Sequence, residues 1–149
     1  MSFAITVNGR SSIELDGGLG PWSEFFRQRL GSLDGVRIYA FSVWRFPDGV
    51  PFDHVNRRKV DEYIQVAGSQ NGMTVEIRRI EDGGIPRQYT LGHRPVDAGA
   101  TVAIDWDGHT VDVLLSEVFE FEEAAEIFLL YMDSVDAIVS KYAMRLLDL

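Results

Sequence analysis

The sequence predicts an α+β fold in which antiparallel hairpins form most of the sheet and about three helices pack against them. Stretches that alternate apolar and polar residues occur in pairs around short turns, which is typical of β-hairpins. Other segments place apolar residues three and four positions apart, as amphipathic helices do. The segments do not follow a repeated strand, helix, strand order, so a parallel α/β fold is not predicted.

One domain is predicted to span residues 1–149. A chain of 149 residues is long enough for one hydrophobic core. Hydrophobic residues make up 46% of the chain and charged residues 25%, as in an ordinary globular protein. No internal repeat or long linker divides the chain.

The amino-terminal segments predict a hairpin and then a helix. The stretches "FAITVNG" and "SSIELDGG" alternate around Asn8-Gly9, which is a strong hairpin signal. The stretch "PWSEFFRQRL" opens with Pro21, which the first turn of a helix tolerates, and sets its aromatic residues at helical spacing until Gly31.

A strand and a second helix are predicted next. The stretch "GVRIYAFSVWRF" is rich in β-branched and aromatic residues and ends at Pro47-Asp48-Gly49, which indicates a central strand. From Val55 to Ala67 the apolar residues fall near one helical stripe, so a helix is predicted there, ending at Gly68.

The second half predicts two more hairpins and a long helix. "MTVEIRRIE" and "PRQYTLGH" flank the turn at 82–84, and "TVAIDW" and "TVDVLLSEV" flank Asp107-Gly108. A helix is expected from about Glu120, with Phe128 on its core-facing side. The tail "YAMRLLDL" fits a strand or a continued helix, and its periodicity does not decide between them.

Negative charge is concentrated in the carboxy-terminal part of the chain. The net charge is −9, and residues 95–149 contain twelve acidic residues but only Lys141 and Arg145 as basic ones. Such a segment repels nucleic acid and anionic membranes, so neither is an expected partner, whereas a basic protein is. Solubility is the alternative explanation. The basic run "NRRK" at 56–59 is interpreted as a solvated face.

The sequence also suggests where the protein resides. It contains no cysteine, which fits a reducing compartment. Its amino terminus lacks a secretory signal pattern, and no apolar run approaches the ~20 residues that span a bilayer. We therefore expect a cytoplasmic protein.

The helix after Glu120 has a second, outward stripe. Its members, three to four positions apart, are Glu122, Glu126, Leu129 and Asp133. Two interpretations stay open. The stripe is either the solvated back of a core helix or an acidic surface that meets a partner.

Patterns that carry catalysis are missing from the sequence. It has no H-E-x-x-H pair, no G-x-S-x-G motif, no phosphate loop and no thiol. We therefore expect no enzymatic activity, no cofactor and no bound metal. One possible exception is the group of Asp105, Asp107 and His109, which alternate around a turn and could form a metal or acid/base site. The main role of an Asp-Gly pair, however, is to form the turn itself.

The carboxy-terminal pattern resembles a known class of proteins. "EVFEFEEAAEIFLLYM" after the hairpin "TVAIDWDGHTVDVLL", with a terminal "YAMRLLDL", is similar to the carboxy-terminal half of small cytoplasmic immunity proteins of actinobacterial polymorphic-toxin systems. The resemblance covers about the last third of the chain. It implies a non-enzymatic protein that binds a cognate toxin domain and blocks its active site.

Candidate partner-binding residues follow from the physical pattern rather than from the resemblance. They are Glu122, Glu126, Leu129 and Asp133 on the helix, and Asp105, Asp107 and Asp112 on the preceding hairpin. Their charge suits a toxin with a basic active-site face. A chaperone or adaptor of a secretion apparatus, and a metal-dependent enzyme using the Asp105 region, are the alternatives. The sequence specifies neither the chemistry of the toxin nor the oligomeric state.

Overall fold

The computed structural model describes residues 1–148, and Leu149, the last residue of the predicted tail segment, lies outside the described residues. The α+β prediction is confirmed. Within residues 1–148 the strands are β1 (Ser2–Val7), β2 (Ser11–Leu15), β3 (Ala40–Phe46), β4 (Tyr63–Ser69), β5 (Gly72–Glu81), β6 (Ile85–Gly92), β7 (Thr101–Trp106), β8 (His109–Leu114) and β9 (Ala143–Leu146). The α-helices are α1 (Trp22–Leu30), α2 (Phe121–Asp133) and α3 (Val135–Lys141).

Seven strands form one antiparallel sheet in the order β2-β1-β3-β4-β5-β6-β9, and β7 with β8 forms a separate two-stranded ribbon. One row of paired residues across the sheet is apolar and buried: Ile5, Val43, Ile64 and Ile77. The neighbouring row is polar: Thr6, Ser42, Gln65 and Glu76. Because successive side chains of a strand point to opposite faces, the sheet has an apolar face and a second face, called the polar face here. The polar face carries this polar row beside a small buried apolar cluster of Ala4, Trp44 and Phe46.

The helices pack on the apolar face. The predicted amino-terminal helix is confirmed as α1, which follows Pro21 and ends before Gly31. The rings of Phe26 on α1 and Phe128 on α2 meet edge to face with centroids 5.5 Å apart. Both side chains are fully buried, so the predicted inward orientation of Phe128 is confirmed.

The three predicted hairpins are confirmed as β1-β2, β5-β6 and β7-β8. Asn8 and Asp107, each the first residue of an Asn-Gly or Asp-Gly turn, have positive φ angles of 52° and 49°. The two-residue turn at 107–108 matches the twist of antiparallel strands, whereas β1 and β2 are joined by the three residues 8–10. The predicted central strand is internal to the sheet but begins only at Ala40, because the Asp34 carboxylate accepts three backbone N–H bonds, from residues 36 to 38, and folds that segment into a loop.

The predicted helix from Val55 to Ala67 is wrong. Short 3-10 turns occupy Phe52–His54 and Arg57–Lys59, and the rest of the segment is β4. The stretch "YIQVAGS" buries Ile64 and Val66 on the apolar face while Tyr63 and Gln65 point to the polar face. Pairing with β3 and β5 on both sides therefore overrode the helical spacing.

The described part of the tail, residues 142–148, contains the strand and not a continued helix. Helix α3 extends to Lys141, and β9 then pairs with β6 at the edge of the sheet. Among the described helices, none is long and apolar enough to cross a membrane.

Candidate functional site

The outward side of α2 carries the predicted acidic stripe. Glu122, Glu126 and Asp133 are all exposed, and none of them takes part in an ion pair within residues 1–148. The helix contains no basic residue. We call these three residues the acidic stripe from here on. Its carboxylates are therefore available to cations outside the chain.

The three acids of the acidic stripe affect the stability of the helix in different ways. Glu122 lies in the first turn of α2, where a negative charge offsets the helix dipole. Glu126 is one turn further on and repels Glu122, which costs a few tenths of a kcal/mol. Asp133 lies at the carboxyl end of α2, where the dipole disfavours an acid, but also just before the N-cap of α3, whose dipole favours one. Helix stability thus accounts for Glu122, is balanced between two helix dipoles at Asp133, and does not account for Glu126.

Leu129, the apolar member of the predicted outward stripe, is not exposed. It is partly buried and packs against the main core. A substitution such as Leu129→Asp would disturb the core as well as a binding surface. Leu129 therefore offers a partner less area than an exposed leucine would.

Two of the three predicted hairpin acids share one surface. The register of the ribbon pairs Asp105 with Thr110 and Asp112 with Ala103, which puts both carboxylates on the same outward face. The Thr110 hydroxyl donates to Asp105 Oδ1 at 2.7 Å. Asp107 lies in the turn, where its N–H donates to the carbonyl of Gly35 at 2.8 Å. Its backbone thus docks the ribbon tip, while its side chain remains exposed.

The possible site of Asp105, Asp107 and His109 does not assemble. His109 pairs with Trp106, so its side chain lies on the face of the ribbon opposite to Asp105, and its ring lies 5.0 Å from the Trp106 ring. Within residues 1–148 no group of three His, Asp or Glu side chains could hold a metal ion.

Glu123 joins the start of α2 to the rest of the fold. Its Oε1 lies 2.8 Å from His93 Nε2, and its Oε2 accepts a 2.9 Å bond from the Tyr142 hydroxyl. His93 Nδ1 lies 3.0 Å from the carbonyl oxygen of Ser116. Both ring nitrogens of His93 thus have an oxygen partner within hydrogen-bond distance. Burial and the Glu123 carboxylate raise the pKa of Tyr142. Glu123 is therefore a structural residue.

A second acid, Glu117, is also structural. It is 2% exposed, and its carboxylate accepts bonds from Arg145 Nε at 2.7 Å and Nη2 at 3.0 Å. The N–H of Leu114 adds a third bond at 2.9 Å. These partners satisfy a carboxylate that burial would otherwise penalise. Glu117 and Glu123, two of the twelve carboxy-terminal acids, thus bind residues of the same chain and are not candidates for contact with a partner.

A pocket on the polar face of the sheet was not predicted. It has a volume of about 410 Å³, and its floor includes Ser42 and Gln65. Alternation along β3 already indicated that Ser42 points away from the face of Phe41 and Val43. The wrong helix prediction for residues 55–67 hid the contribution of Gln65, so the pocket could not be assembled from the sequence.

No family model, no curated protein and no solved structure matches this chain.

Proposed function

We propose that this protein is a non-catalytic immunity protein that acts in the cytoplasm by binding a cognate toxin domain and covering its basic active-site face. The observation that carries the proposal is the acidic stripe: Glu122, Glu126 and Asp133 are exposed, and within residues 1–148 they have no ion-pair partner. Glu126 repels Glu122 one turn away, so its position is unfavourable for the helix itself. A partner with positive charge would compensate that cost.

The acidic stripe would act mainly on the rate of association. Charges of one sign on one surface steer an oppositely charged partner and raise the on-rate, and salt screens this effect over a Debye length of ~8 to 10 Å. The outward carboxylates of Asp105 and Asp112 on the ribbon would extend the same attraction.

The test starts from co-purification with the product of the neighbouring gene, followed by stopped-flow binding at low and high salt. The variant Glu122→Lys, Glu126→Lys, Asp133→Lys should fold like the parent, because surface substitutions usually change stability little. Its on-rate at low salt should fall about tenfold or more, and the salt dependence should flatten or invert.

The matched control changes three other exposed acids, Glu14, Glu24 and Asp61, to Lys. It shifts the net charge equally but leaves the acidic stripe intact, so its on-rate should stay closer to that of the parent. Equal loss in both variants would remove the acidic stripe as the interface and direct attention to the ribbon. If the neighbouring product is an exported substrate and not a toxin, the alternative of a secretion chaperone or adaptor replaces the immunity proposal.

A further inference from the structure

The pocket on the polar face has an unusual charge for this chain. It lies between the β1-β2 turn and the segment 52–60, and no Asp or Glu lines it although the sequence contains 23 acids. The polar residues of its lining include Thr6, Arg10, Ser12, Ser42, Arg57 and Gln65. In a protein of net charge −9, this pocket is lined by positive and neutral groups.

Two arginines flank the pocket. Arg10 and Arg57 are exposed, and neither forms an ion pair with the described part of the chain. Arg10 follows the tight turn of the first hairpin, where its N–H donates to the carbonyl of Val7 at 2.9 Å. The Arg57 guanidinium lies 5.7 Å from the centre of the Phe52 ring. Both side chains therefore start from well-defined short turns.

The floor of the pocket offers hydrogen-bond donors. Trp44 Nε1 donates to Thr6 Oγ1 at 2.9 Å, and Thr6 Oγ1 lies 2.7 Å from Ser12 Oγ. The bond between the two hydroxyls uses one of their two hydrogens, so the other hydrogen is free to donate into the pocket. Ser42 and Gln65 add a hydroxyl and an amide to the pocket lining.

We infer that this pocket binds a small molecule through an oxyanion, a phosphate or carboxylate group, held between Arg10 and Arg57. Guanidinium groups bind such oxyanions through paired, charge-assisted hydrogen bonds. The free hydroxyl and amide donors suit the same acceptor oxygens. The pocket lies on the face of the sheet opposite to α2, so this site is separate from the acidic stripe and does not depend on the proposed partner.

The experiment follows the ¹H–¹⁵N signals of the full chain during titration with inorganic phosphate and, separately, with succinate at constant ionic strength. Among the three tryptophans only Trp44 lines the pocket. Its indole N–H signal should shift and saturate, whereas the indole signals of Trp22 and Trp106 should stay in place. Saturation by phosphate or by succinate identifies which oxyanion the site takes.

Arg10→Gln and Arg57→Gln should each weaken the affinity about tenfold or more, since each removes a charge-assisted contact. Arg58→Gln is the matched control, because Arg58 is an exposed neighbour of Arg57 that does not line the pocket. Its affinity should equal that of the parent. An indole signal of Trp44 that does not saturate with either anion, or equal weakening by Arg57→Gln and Arg58→Gln, would overturn the inference.

Discussion

Phe128 is the residue at which α1, α2 and the apolar face of the sheet meet. Its side chain is fully buried within the main core, and its ring packs edge to face on Phe26. Aromatic side chains of this kind bury a large area, and the edge-to-face geometry adds to it. The stability of the helical layer therefore depends strongly on this one position.

Phe128→Ala should lower the free energy of unfolding by about 3 to 5 kcal/mol, because it removes buried area and leaves a cavity. Chemical denaturation of parent and variant measures the difference. Phe128→Leu, which keeps most of the volume, serves as the control and should cost clearly less. An alanine variant as stable as the parent would show that the phase of α2 is wrong.

Glu76 is a partly buried acid on the polar face. Gln88 Nε2 donates to its Oε1 at 3.0 Å, and the Tyr63 hydroxyl donates to Gln88 Oε1 at 3.2 Å. Burial raises the pKa of Glu76 above its ordinary value of 4.5, while the bond from Gln88 and the charge of Arg145 oppose that shift. The folded protein thus holds the Glu76 proton more tightly than the unfolded chain does.

The sign of the effect on stability follows from this raised pKa. The free energy of unfolding should decrease as the pH rises from 4.5 through the raised pKa of Glu76. Above that pKa, Glu76 should cause no further change. Glu76→Gln removes that contribution, so the stability of the variant relative to the parent should increase across this window. Denaturation at a series of pH values tests this. A flat difference for Glu76→Gln across the same pH series would contradict the prediction.

At the scale of elements, Gly68 allows β4, β5 and the ribbon to approach one another. Its φ angle is +133°, a region that residues with side chains rarely adopt. A Cβ atom at this position would lie 2.5 Å from the carbonyl oxygen of Gly72 and 2.9 Å from the Cα of Met73. Ile104 of the ribbon would be 3.2 Å away. The end of β4 therefore has no room for a side chain.

Gly68→Ala should destabilise the protein by about 2 kcal/mol or more, since the backbone has to move and the new residue is strained. Thermal or chemical unfolding provides the measurement. Gly17→Ala is the matched control, because a Cβ there has nothing within 4 Å and the φ angle is not in the restricted region. That variant should stay close to the parent. Similar losses at both positions would argue against a specific clash at Gly68.

Helix α2 and the segment 55–67 were both predicted to be helical, and only α2 is a helix. Helix α2 has 13 residues, and its apolar residues recur at helical spacing over that length. The residues on this apolar side are the ones that pack in the main core. The segment 55–67 has helical spacing as well, but its final residues also alternate as a strand does. Where both periods fit a short segment, the pairing available from neighbouring strands decides.

At the scale of the whole molecule, the sheet separates two surfaces of different charge. The apolar face is covered by helices whose outward side carries the acidic stripe, and the polar face holds the pocket flanked by Arg10 and Arg57. The net charge of −9 describes neither surface by itself. The proposed protein partner and the inferred small oxyanion therefore use opposite sides of one sheet.

The sequence by itself determined the elements whose signals are local. Asn8-Gly9 and Asp107-Gly108 specify their turns through backbone geometry, and the spacing around Phe128 specifies which side of α2 is buried. It also determined which residues form the acidic stripe, because a helix face follows from spacing alone. Whether a partner uses that surface stays a prediction.

Only the tertiary structure decided the features that depend on residues distant in the chain. It made residues 63–69 a strand between β3 and β5, and it turned Glu117 inward to meet Arg145. It also brought Arg10 and Arg57 to one pocket, although 46 positions separate them. The physical reason is that strand pairing and burial act between distant segments, so their energies are absent from any short stretch of sequence.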